Sequence, residues 1–193
     1  MVNVRAFIQG YYLGGHVMRP VLMNEGVAGA LSSQTDTVTV ELRDTITNSH
    51  AVIETFTGIL DTSGTISCTF TGAVTGGTYY IVLQHRNSLE TWSGAPVSIA
   101  AVTSYDFSTL SGQSYGNNVK DVFNENIWSI YNGDVARDGV CDGSDYISMQ
   151  PDVLSVATGY RKSDVNGDGV VDGSDYIQVQ PNVLGTKTIH RPQ

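Results

Sequence analysis

A repeat with a period of 30 residues near the end of the chain constrains its folding more than any other feature. Residues 134–154 read DVARDGVCDGSDYISMQPDVL, and residues 164–184 read DVNGDGVVDGSDYIQVQPNVL. Most positions are identical, which indicates a duplication. The period is long enough for a loop, a short helix and a connector in each copy.

The second copy places oxygen donors at the spacing of a calcium-binding loop. Such a loop takes its ligands from alternate positions and position 12, with glycine at position 6 for a sharp turn. Gly169 occupies position 6. The predicted ligands at positions 1, 3, 5, 7, 9 and 12 are Asp164, Asn166, Asp168, the carbonyl group of Val170, Asp172 and Asp175. Calcium is a hard cation that prefers about six to eight oxygens, so this donor set predicts a calcium site.

The first copy keeps this pattern with one gap. Its predicted ligands are Asp134, Asp138, the carbonyl group of Val140, Asp142 and Asp145. Position 3 is Ala136, which has no side-chain oxygen, and Arg137 adds a positive charge beside it. Because a water molecule can replace one ligand, we expect two bound Ca2+ ions, with the second site the tighter.

The helices after the loops are predicted to be short, because Pro151 and Pro181 do not suit a helix interior. Position 8 of each loop is apolar, Cys141 and Val171, and is expected to join the two loops as a short two-stranded contact. The small core between the repeats is predicted to contain Tyr146, Ile147, Val153, Leu154, Tyr176, Ile177, Val183 and Leu184. This core is too small to hold two acidic, mutually repelling loops together. Calcium binding is therefore expected to contribute to the free energy of folding.

The first hundred or so residues show the period-two alternation of half-buried strands. Apolar residues alternate with polar ones in TVTVELRD and TISCTF, and a third strand is predicted in TYYIVLQ. Turn-forming clusters lie at residues 47–49, 61–64 and 75–77. This rhythm predicts a mainly β chain with an antiparallel β-sandwich. We place the sandwich and a connecting segment in residues 1–131, with strand candidates at 103–107 and 126–131, and the loop unit with its tail in residues 132–193.

Residues 132–185 resemble type I dockerins, through the two loops and the Asp at position 12. The resemblance implies a dockerin-like fold and a cohesin-like partner. In that family, loop positions 10 and 11 contact the cohesin; here they are Gly143, Ser144, Gly173 and Ser174. This chain differs from the family in having glycine at position 10 and no basic residue in ISMQP or IQVQP.

Residues 36–86 resemble the prealbumin-like or Ig-like sandwiches of bacterial surface proteins. With HRNSLETWS and SYDF, the whole chain resembles a sandwich-plus-dockerin module near the C-termini of secreted proteins of Bacteroidetes-type bacteria. Thr37 and Thr45 stand in Asp-Thr-aliphatic triplets that resemble the acceptor for O-linked glycans in such proteins. The resemblance therefore implies an extracellular or cell-surface location.

Composition argues against several classes of partner. The chain has 10 Lys and Arg against 19 Asp and Glu, a formal net charge of −9. Nucleic-acid binding needs clustered cations, so no nucleic acid is expected. No apolar run approaches the roughly 20 residues that span a bilayer, so no membrane span is expected. The start, MVNVRAFIQG, has no export signal, so any signal was removed or lies outside this chain.

No set of residues typical of a catalytic site is recognised, and we expect no enzymatic activity. The histidines are scattered, and neither a Gly-x-Ser-x-Gly motif nor a phosphate-binding loop is present. Glu41, Glu54 and Glu90 are predicted to be solvated surface residues. Cys68 and Cys141 are far apart in sequence and are predicted to be buried free thiols.

Three functions from different classes remain open. The first is a calcium-stabilised structural subunit that assembles as a homo-oligomeric filament or surface layer. Residues 2–9 alternate like a strand that needs a partner, which favours this function, unless they are the first strand of their own sandwich. The second is a dockerin-like anchoring module. The third is a carbohydrate-binding module in which Trp92, Tyr11 or Tyr12 stacks on a sugar ring.

Overall fold

The computed structural model describes residues 1–46 and 50–193. The strands are β1 (Val2–Arg5), β2 (Phe7–Ile8), β3 (Tyr12–Gly14), β4 (Val17–Met18), β5 (Gln34–Arg43), β6 (Val52–Asp61), β7 (Thr65–Cys68), β8 (Thr78–His85), β9 (Ser88–Trp92), β10 (Val97–Ser98), β11 (Thr103–Asp106), β12 (Val119–Asp121) and β13 (Trp128–Ile130). The α-helices are α1 (Val21–Asn24), α2 (Gly143–Ser155) and α3 (Gly173–Leu184). In this described part of the chain, no helix is long and apolar enough to cross a membrane.

The largest sheet is antiparallel and has the strand order β10-β8-β5-β6, with β9 also paired to β8. In its centre, Val40 of β5 lies opposite Phe56 of β6 and Leu83 of β8. The inner face of this sheet and the strands β1, β2 and β7 enclose one apolar core. The predicted sandwich-like arrangement is therefore present.

The smaller sheets depart from the antiparallel prediction. β1 pairs with β11 in parallel and with β7 in antiparallel fashion, and β13 pairs with β2 in parallel. The prediction was wrong here because a repeating turn-and-strand pattern indicates hairpins, whereas these pairs join segments about a hundred residues apart.

Several strand predictions are confirmed, since the alternating segments form β5, β7 and β8 and the two strand candidates of the connecting segment form β11 and β13. The turn predicted at residues 47–49 lies outside the described residues. The long edge strand β6 was not predicted. Cys68 and Cys141 are buried free thiols, as expected.

The two C-terminal helices are longer than predicted, because each continues through its proline. Pro151 and Pro181 both lie on the exposed side of their helices. A proline there removes one backbone hydrogen bond, but water can satisfy the freed carbonyl group.

The core between the repeats contains only part of the predicted set. Tyr146, Val153, Tyr176 and Val183 pack on it, but Ile147, Leu154, Ile177 and Leu184 are 71–79 % exposed. The buried centre is formed by Val135, Met149, Val165 and Val179. The helical period explains this result, because residues three or four apart share a face whereas adjacent residues do not.

The predicted two-stranded contact between the loops is not formed among the described residues. In the second loop, the Val171 N–H donates to the carbonyl oxygen of Ala157, just after α2, at 2.8 Å. In the first loop, the Cys141 N–H donates to the carbonyl oxygen of Lys187, just after α3, at 2.7 Å. The segment after α2 therefore pairs with the second loop, and the segment after α3 pairs with the first loop. The N–H groups of Cys141 and Val171 are thus already used and cannot join the two loops to each other.

Both ends of the chain make contacts within it. β1 has a partner on each side, so residues 2–9 belong to the chain's own sandwich, as the alternative predicted. In the tail, Thr188 bridges Val140, and Arg191 Nε lies 3.0 Å from Glu90 Oε1. Both termini are therefore paired within the chain, but the filament prediction also allowed contacts through exposed strand edges, and β6 is such an edge.

Candidate calcium loops and helical face

Asp164, at position 1 of the second loop, is fully buried and fixes the turn of the loop. Its Oδ1 accepts a hydrogen bond from the Gly167 N–H at 2.7 Å, and its Oδ2 accepts one from the Gly169 N–H at 2.8 Å. Gly169 has φ +93°, in the region that glycine adopts without a steric penalty from a Cβ atom. The sharp turn predicted at position 6 is therefore present.

Asp175, at position 12, joins the second loop to α3. Its Oδ1 accepts from the N–H groups of Val165 and Asn166 at 2.9 and 3.2 Å, and its Oδ2 accepts from the Asp172 N–H at 2.9 Å. Asp172 in turn is the N-cap of α3 and accepts from the Ser174 N–H at 2.7 Å. These reciprocal bonds form a capping box, so the end of the loop and the start of the helix are one rigid element.

The other predicted ligands of the second loop follow one another in tight turns. Asn166 Oδ1 accepts from the Asp168 N–H at 2.8 Å, and Asp168 Oδ1 accepts from the Val170 N–H at 3.0 Å. These bonds hold the polar side chains of positions 3 and 5 close to the loop backbone.

The first loop repeats this geometry. Asp134 accepts from the N–H groups of Asp138 and Gly139 at 3.1 and 3.2 Å. Asp145 accepts from the N–H groups of Ala136 and Asp142 at 2.9 and 2.8 Å, and Asp142 and Asp145 form the capping box of α2.

The two loops differ at position 4 as well as at position 3. Position 4 is Gly167 in the second loop, with φ +73°, and Arg137 in the first, with φ +61°. A residue with a Cβ atom is strained in this left-handed region. The first loop thus combines a missing ligand with a strained backbone position.

In the part of the chain that the structure describes, no group of three or more His, Cys, Asp or Glu side chains is already arranged as a metal centre. The loop carboxylates instead accept hydrogen bonds from loop N–H groups. Four of them are nevertheless 0–4 % exposed, and none of these four forms an ion pair with a described cationic side chain. They are Asp134, Asp145, Asp164 and Asp175. Since a buried carboxylate without a cation is costly, and oxygen donors suit calcium, the loop residues fit a bound calcium ion.

The raised pKa values of two of the buried loop carboxyl groups, Asp134 and Asp175, agree with this fit. Burial raises the pKa of Asp134 to about 6, and repulsion from Asp145 adds to the rise. Burial likewise raises the pKa of Asp175 to about 6, against the opposing hydrogen bonds from the loop backbone. Both shifts indicate negative charge that the protein itself does not neutralise.

The β-rich part of the chain, residues 1–131, and the adjacent Asn132 hold the backbone of the second loop. The Asn87 side-chain amide donates to the Asp164 carbonyl oxygen at 3.1 Å, and the Tyr11 hydroxyl donates to the same oxygen at 3.3 Å. The Asn132 amide donates to the Val165 carbonyl oxygen at 3.2 Å. These donors are buried, so the second loop is fixed by side chains far from it in sequence.

Arg86 is the main cationic link between the two parts. Its Nη2 lies 2.6 Å from Glu25 Oε1, and its Nε lies 2.8 Å from Asp36 Oδ2. Its guanidinium carbon lies 4.2 Å from the centre of the Tyr160 ring, and Nη1 donates to the carbonyl oxygen of Arg161. One side chain therefore joins two buried carboxylates to the connector that precedes the second loop.

His85 shares Asp36 with Arg86. Burial lowers the pKa of His85, so the neutral ring donates from Nε2 to Asp36 Oδ2 at 3.0 Å. Burial alone would raise the pKa of Asp36, but hydrogen bonds from His85 and the charge of Arg86 lower it well below its usual range. The Tyr160 hydroxyl donates to Asp36 Oδ1 at 2.7 Å, which completes the network.

The two C-terminal helices present a duplicated apolar face to solvent. Ile147 and Ile177 are each 71 % exposed, and Leu154 and Leu184 are 77 % and 79 % exposed. On each helix the two residues are seven positions apart, so they lie on one side. We call these four residues the helical face. They were predicted to lie in the core between the repeats and are exposed instead.

The aromatic residues proposed for sugar stacking are buried. Trp92, Tyr11 and Tyr12 are only 0–4 % exposed. Trp92 packs against Tyr80, with ring centres 5.8 Å apart, and under the guanidinium of Arg43. A sugar cannot reach these ring faces, so the basis of the carbohydrate-binding alternative was wrong.

The three glutamates considered as a carboxylate pair are engaged with other residues. Glu41 is 8 % exposed, and its Oε2 lies 2.5 Å from Arg43 Nη2. Glu90 contacts Arg43 and Arg191, and Glu54 accepts hydrogen bonds from Thr71. The prediction of solvated surface residues was wrong for Glu41 and Glu90, because nearby arginines bury them in ion pairs.

Comparisons with known proteins find similarity in structure only. No protein-family model matches the chain, and no curated protein matches it. Two solved structures of a type II cohesin–X-dockerin complex from Acetivibrio cellulolyticus each contain a similar chain. One is an N-terminal interface mutant, with TM-score 0.53, 16 % identity and coverage of 97 % of this chain and 97 % of the other. The other is a C-terminal interface mutant, with TM-score 0.53, 17 % identity and coverage of 97 % and 96 %.

This likeness concerns the fold, and it extends over nearly the whole chain. It supports a mainly β, sandwich-like architecture with few helices. The dockerin-type assignment of residues 132–185, the calcium ions and the glycans at Thr37 and Thr45 stay predictions.

Sequence reasoning missed the residues that join the loops to the β-rich part. Glu25, Arg86, Asn87 and Asn182 have no periodic pattern that marks them. One signal was available, since Asn182 stands where the first repeat has Asp152. The Asn182 amide donates to Gln9 Oε1 and to the Asn132 carbonyl oxygen, both at 2.8 Å. This difference between two largely identical repeats thus marks a buried interface.

Proposed function

We propose that this chain is an extracellular, non-catalytic docking module whose C-terminal unit is stabilised by two calcium ions. The observation that carries the proposal is the helical face, Ile147, Leu154, Ile177 and Leu184, exposed on helices that start in the two acidic loops. On each helix an isoleucine and a leucine seven residues apart expose one apolar side, and exposed apolar surface of this kind marks sites of protein association.

Calcium would set the position of this face. The helices α2 and α3 each begin in a capping box that includes the carboxylate at loop position 12, Asp145 in α2 and Asp175 in α3. A cation bound by that carboxylate and by position 1 would neutralise the buried acids and fix the helix relative to its loop. Docking through the helical face is therefore expected to depend on calcium.

The fold likeness and the loop resemblance together suggest the first partner to test. The similar chains belong to a cohesin–X-dockerin complex, and residues 132–185 resemble dockerins. A type II cohesin is therefore the first partner to examine, and binding through the helices would bury the four exposed apolar side chains.

The test measures binding of the full chain to an immobilised type II cohesin, in calcium and in chelator. Changing both Ile147→Asp and Ile177→Asp should weaken binding by about 30-fold or more, because central apolar contacts carry most of the energy of an interface. Leu110→Asp is the matched control, since Leu110 is 64 % exposed and stands outside residues 132–193. Binding that is equal in chelator, or insensitive to the double change, would overturn the proposal.

Filament assembly stays a prediction that no described contact favours over docking, because both termini are paired within the chain. Light scattering of the full chain with calcium, at increasing concentration, measures it directly. A constant monomer mass would end the filament hypothesis and leave docking unaffected.

A further inference from the structure

Glu25 lies against the second calcium loop, although it belongs to the N-terminal part of the chain. It directly follows α1, whose last residue, Asn24, donates from its side-chain amide to the Gly167 carbonyl oxygen at 2.8 Å. A Cβ atom on Gly169 would lie only 2.3 Å from the Asn24 carbonyl oxygen. The end of α1 is thus packed tightly onto loop positions 4 and 6.

The Glu25 carboxylate has one oxygen engaged and one without a partner. Residue Glu25 is 4 % exposed, and its Oε1 lies 2.6 Å from Arg86 Nη2. Its Oε2 is buried and has no hydrogen-bond partner. The Asp164 carboxylate lies close to the Glu25 carboxylate. A buried carboxylate oxygen beside another carboxylate requires a proton or a cation to be satisfied.

We propose that Glu25 Oε2 supplies an oxygen ligand, from outside the loop, to the calcium ion of the second loop. This inference rests on the proposed calcium sites. Calcium accepts up to about eight oxygens, so an added ligand from a neighbouring element replaces a water molecule in its shell. Arg86, bound to the other oxygen, offsets the extra negative charge.

The first loop offers an internal comparison. The equivalent of Gly169 is Gly139, where an added Cβ atom would meet Ile189 Cδ1 at 2.8 Å. An apolar side chain of the tail thus occupies the place that Asn24 and Glu25 hold beside the second loop. The proposal therefore predicts one additional ligand in the second site and none in the first.

The test uses the full chain with Glu25→Ala and the near-isosteric Glu25→Gln. Calcium affinity is measured by calorimetry, and Asp138→Ala, an exposed change in the first loop, assigns the two sites. Terbium is the second probe, since its luminescence lifetimes in H2O and D2O count bound water molecules. Glu41→Gln is the matched control, because Glu41 is also buried against an arginine and stands in β5, outside both loop sequences.

Both Glu25 variants should weaken calcium binding at the second site by about tenfold or more and leave binding at the first site unchanged. Glu25→Ala should also add one bound water molecule at the second site. The control should change neither quantity. If affinity and water count at the second site equal those of the wild type, Glu25 is only a structural partner of Arg86 and this inference fails alone. If the wild type binds no calcium at the second loop, the proposed calcium function fails, and the inference fails with it.

Discussion

Replacing Arg86 with methionine measures how much its guanidinium group, which contacts two buried carboxylates and the connector before the second loop, stabilises the fold. The guanidinium group lies 2.6 Å from Glu25 and 2.8 Å from Asp36, and it donates to the Tyr11 hydroxyl at 3.0 Å. Methionine keeps an unbranched apolar stem of similar reach, so the substitution removes the charge and the hydrogen bonds without opening a large cavity.

The expected loss of stability is about 3–5 kcal/mol, the usual consequence of leaving a buried ionic partner uncompensated. Both carboxylate side chains are 0 % exposed, so water cannot take the place of the guanidinium group. The contact with the face of the Tyr160 ring contributes a further ~0.5–2 kcal/mol that is also lost. Since domains of this size are stable by about 5–15 kcal/mol, the change should be large and easily measured.

The assay is urea unfolding at neutral pH with saturating calcium, followed by circular dichroism. Arg43→Met is the matched control, because Arg43 pairs with Glu41 and Glu90, whose side chains keep 11 % and 12 % exposure. That partial exposure lets water compensate part of the loss, so the control should cost less than Arg86→Met. If Arg86→Met costs no more than Arg43→Met, the two buried carboxylates do not depend on the guanidinium group and the reasoning is refuted.

Three further predictions concern the loops and the buried histidine. Asp175→Ala should reduce the calcium-dependent rise in melting temperature more than Asn166→Ala, because Asp175 also closes the capping box of α3; equal effects by calorimetry would contradict this. Changing Ala136→Asn and Arg137→Gly together should tighten the first site by about tenfold, since they supply the missing oxygen and remove the strain at φ +61°; an unchanged titration would refute it. Burial lowers the pKa of His85 in the folded chain. Below a pH of about 6.5 the unfolded chain therefore binds more protons at this residue than the folded chain does, so the free energy of unfolding should fall on acidification. His85→Gln should remove that part of the pH dependence. The measurement is urea unfolding at several pH values, and an equal change of unfolding free energy with pH in both proteins would contradict the role of His85.

The loop geometry could be predicted from the sequence because it depends on neighbours within about twelve residues. The spacing of the Asp side chains and the glycine at position 6 predicted the turn at Gly169, which the structure has. Strands β5, β7 and β8 were predictable for the same reason, since alternation of apolar and polar residues is a local pattern.

Whether an individual apolar residue is buried was less predictable. Periodicity shows which residues share one side of an element, but not which other element packs against that side. Ile147 and Ile177 were placed in a core and are exposed, whereas Trp92 was considered for a surface site and is buried. Which apolar face of a short helix meets another element depends on how the repeats pack, and no single segment records it.

The two acidic loops, the presence of a helix after each loop and the strands β5, β7 and β8 could be predicted from the sequence alone. Only the tertiary structure decided the parallel pairing of β1 with β11, the tail beside the first loop, and Glu25 beside the second. The physical reason is distance along the chain: local backbone preferences act over a few residues. Glu25 and Asp164 are instead brought together by the path of the whole sandwich, which leaves no periodic signal in either segment.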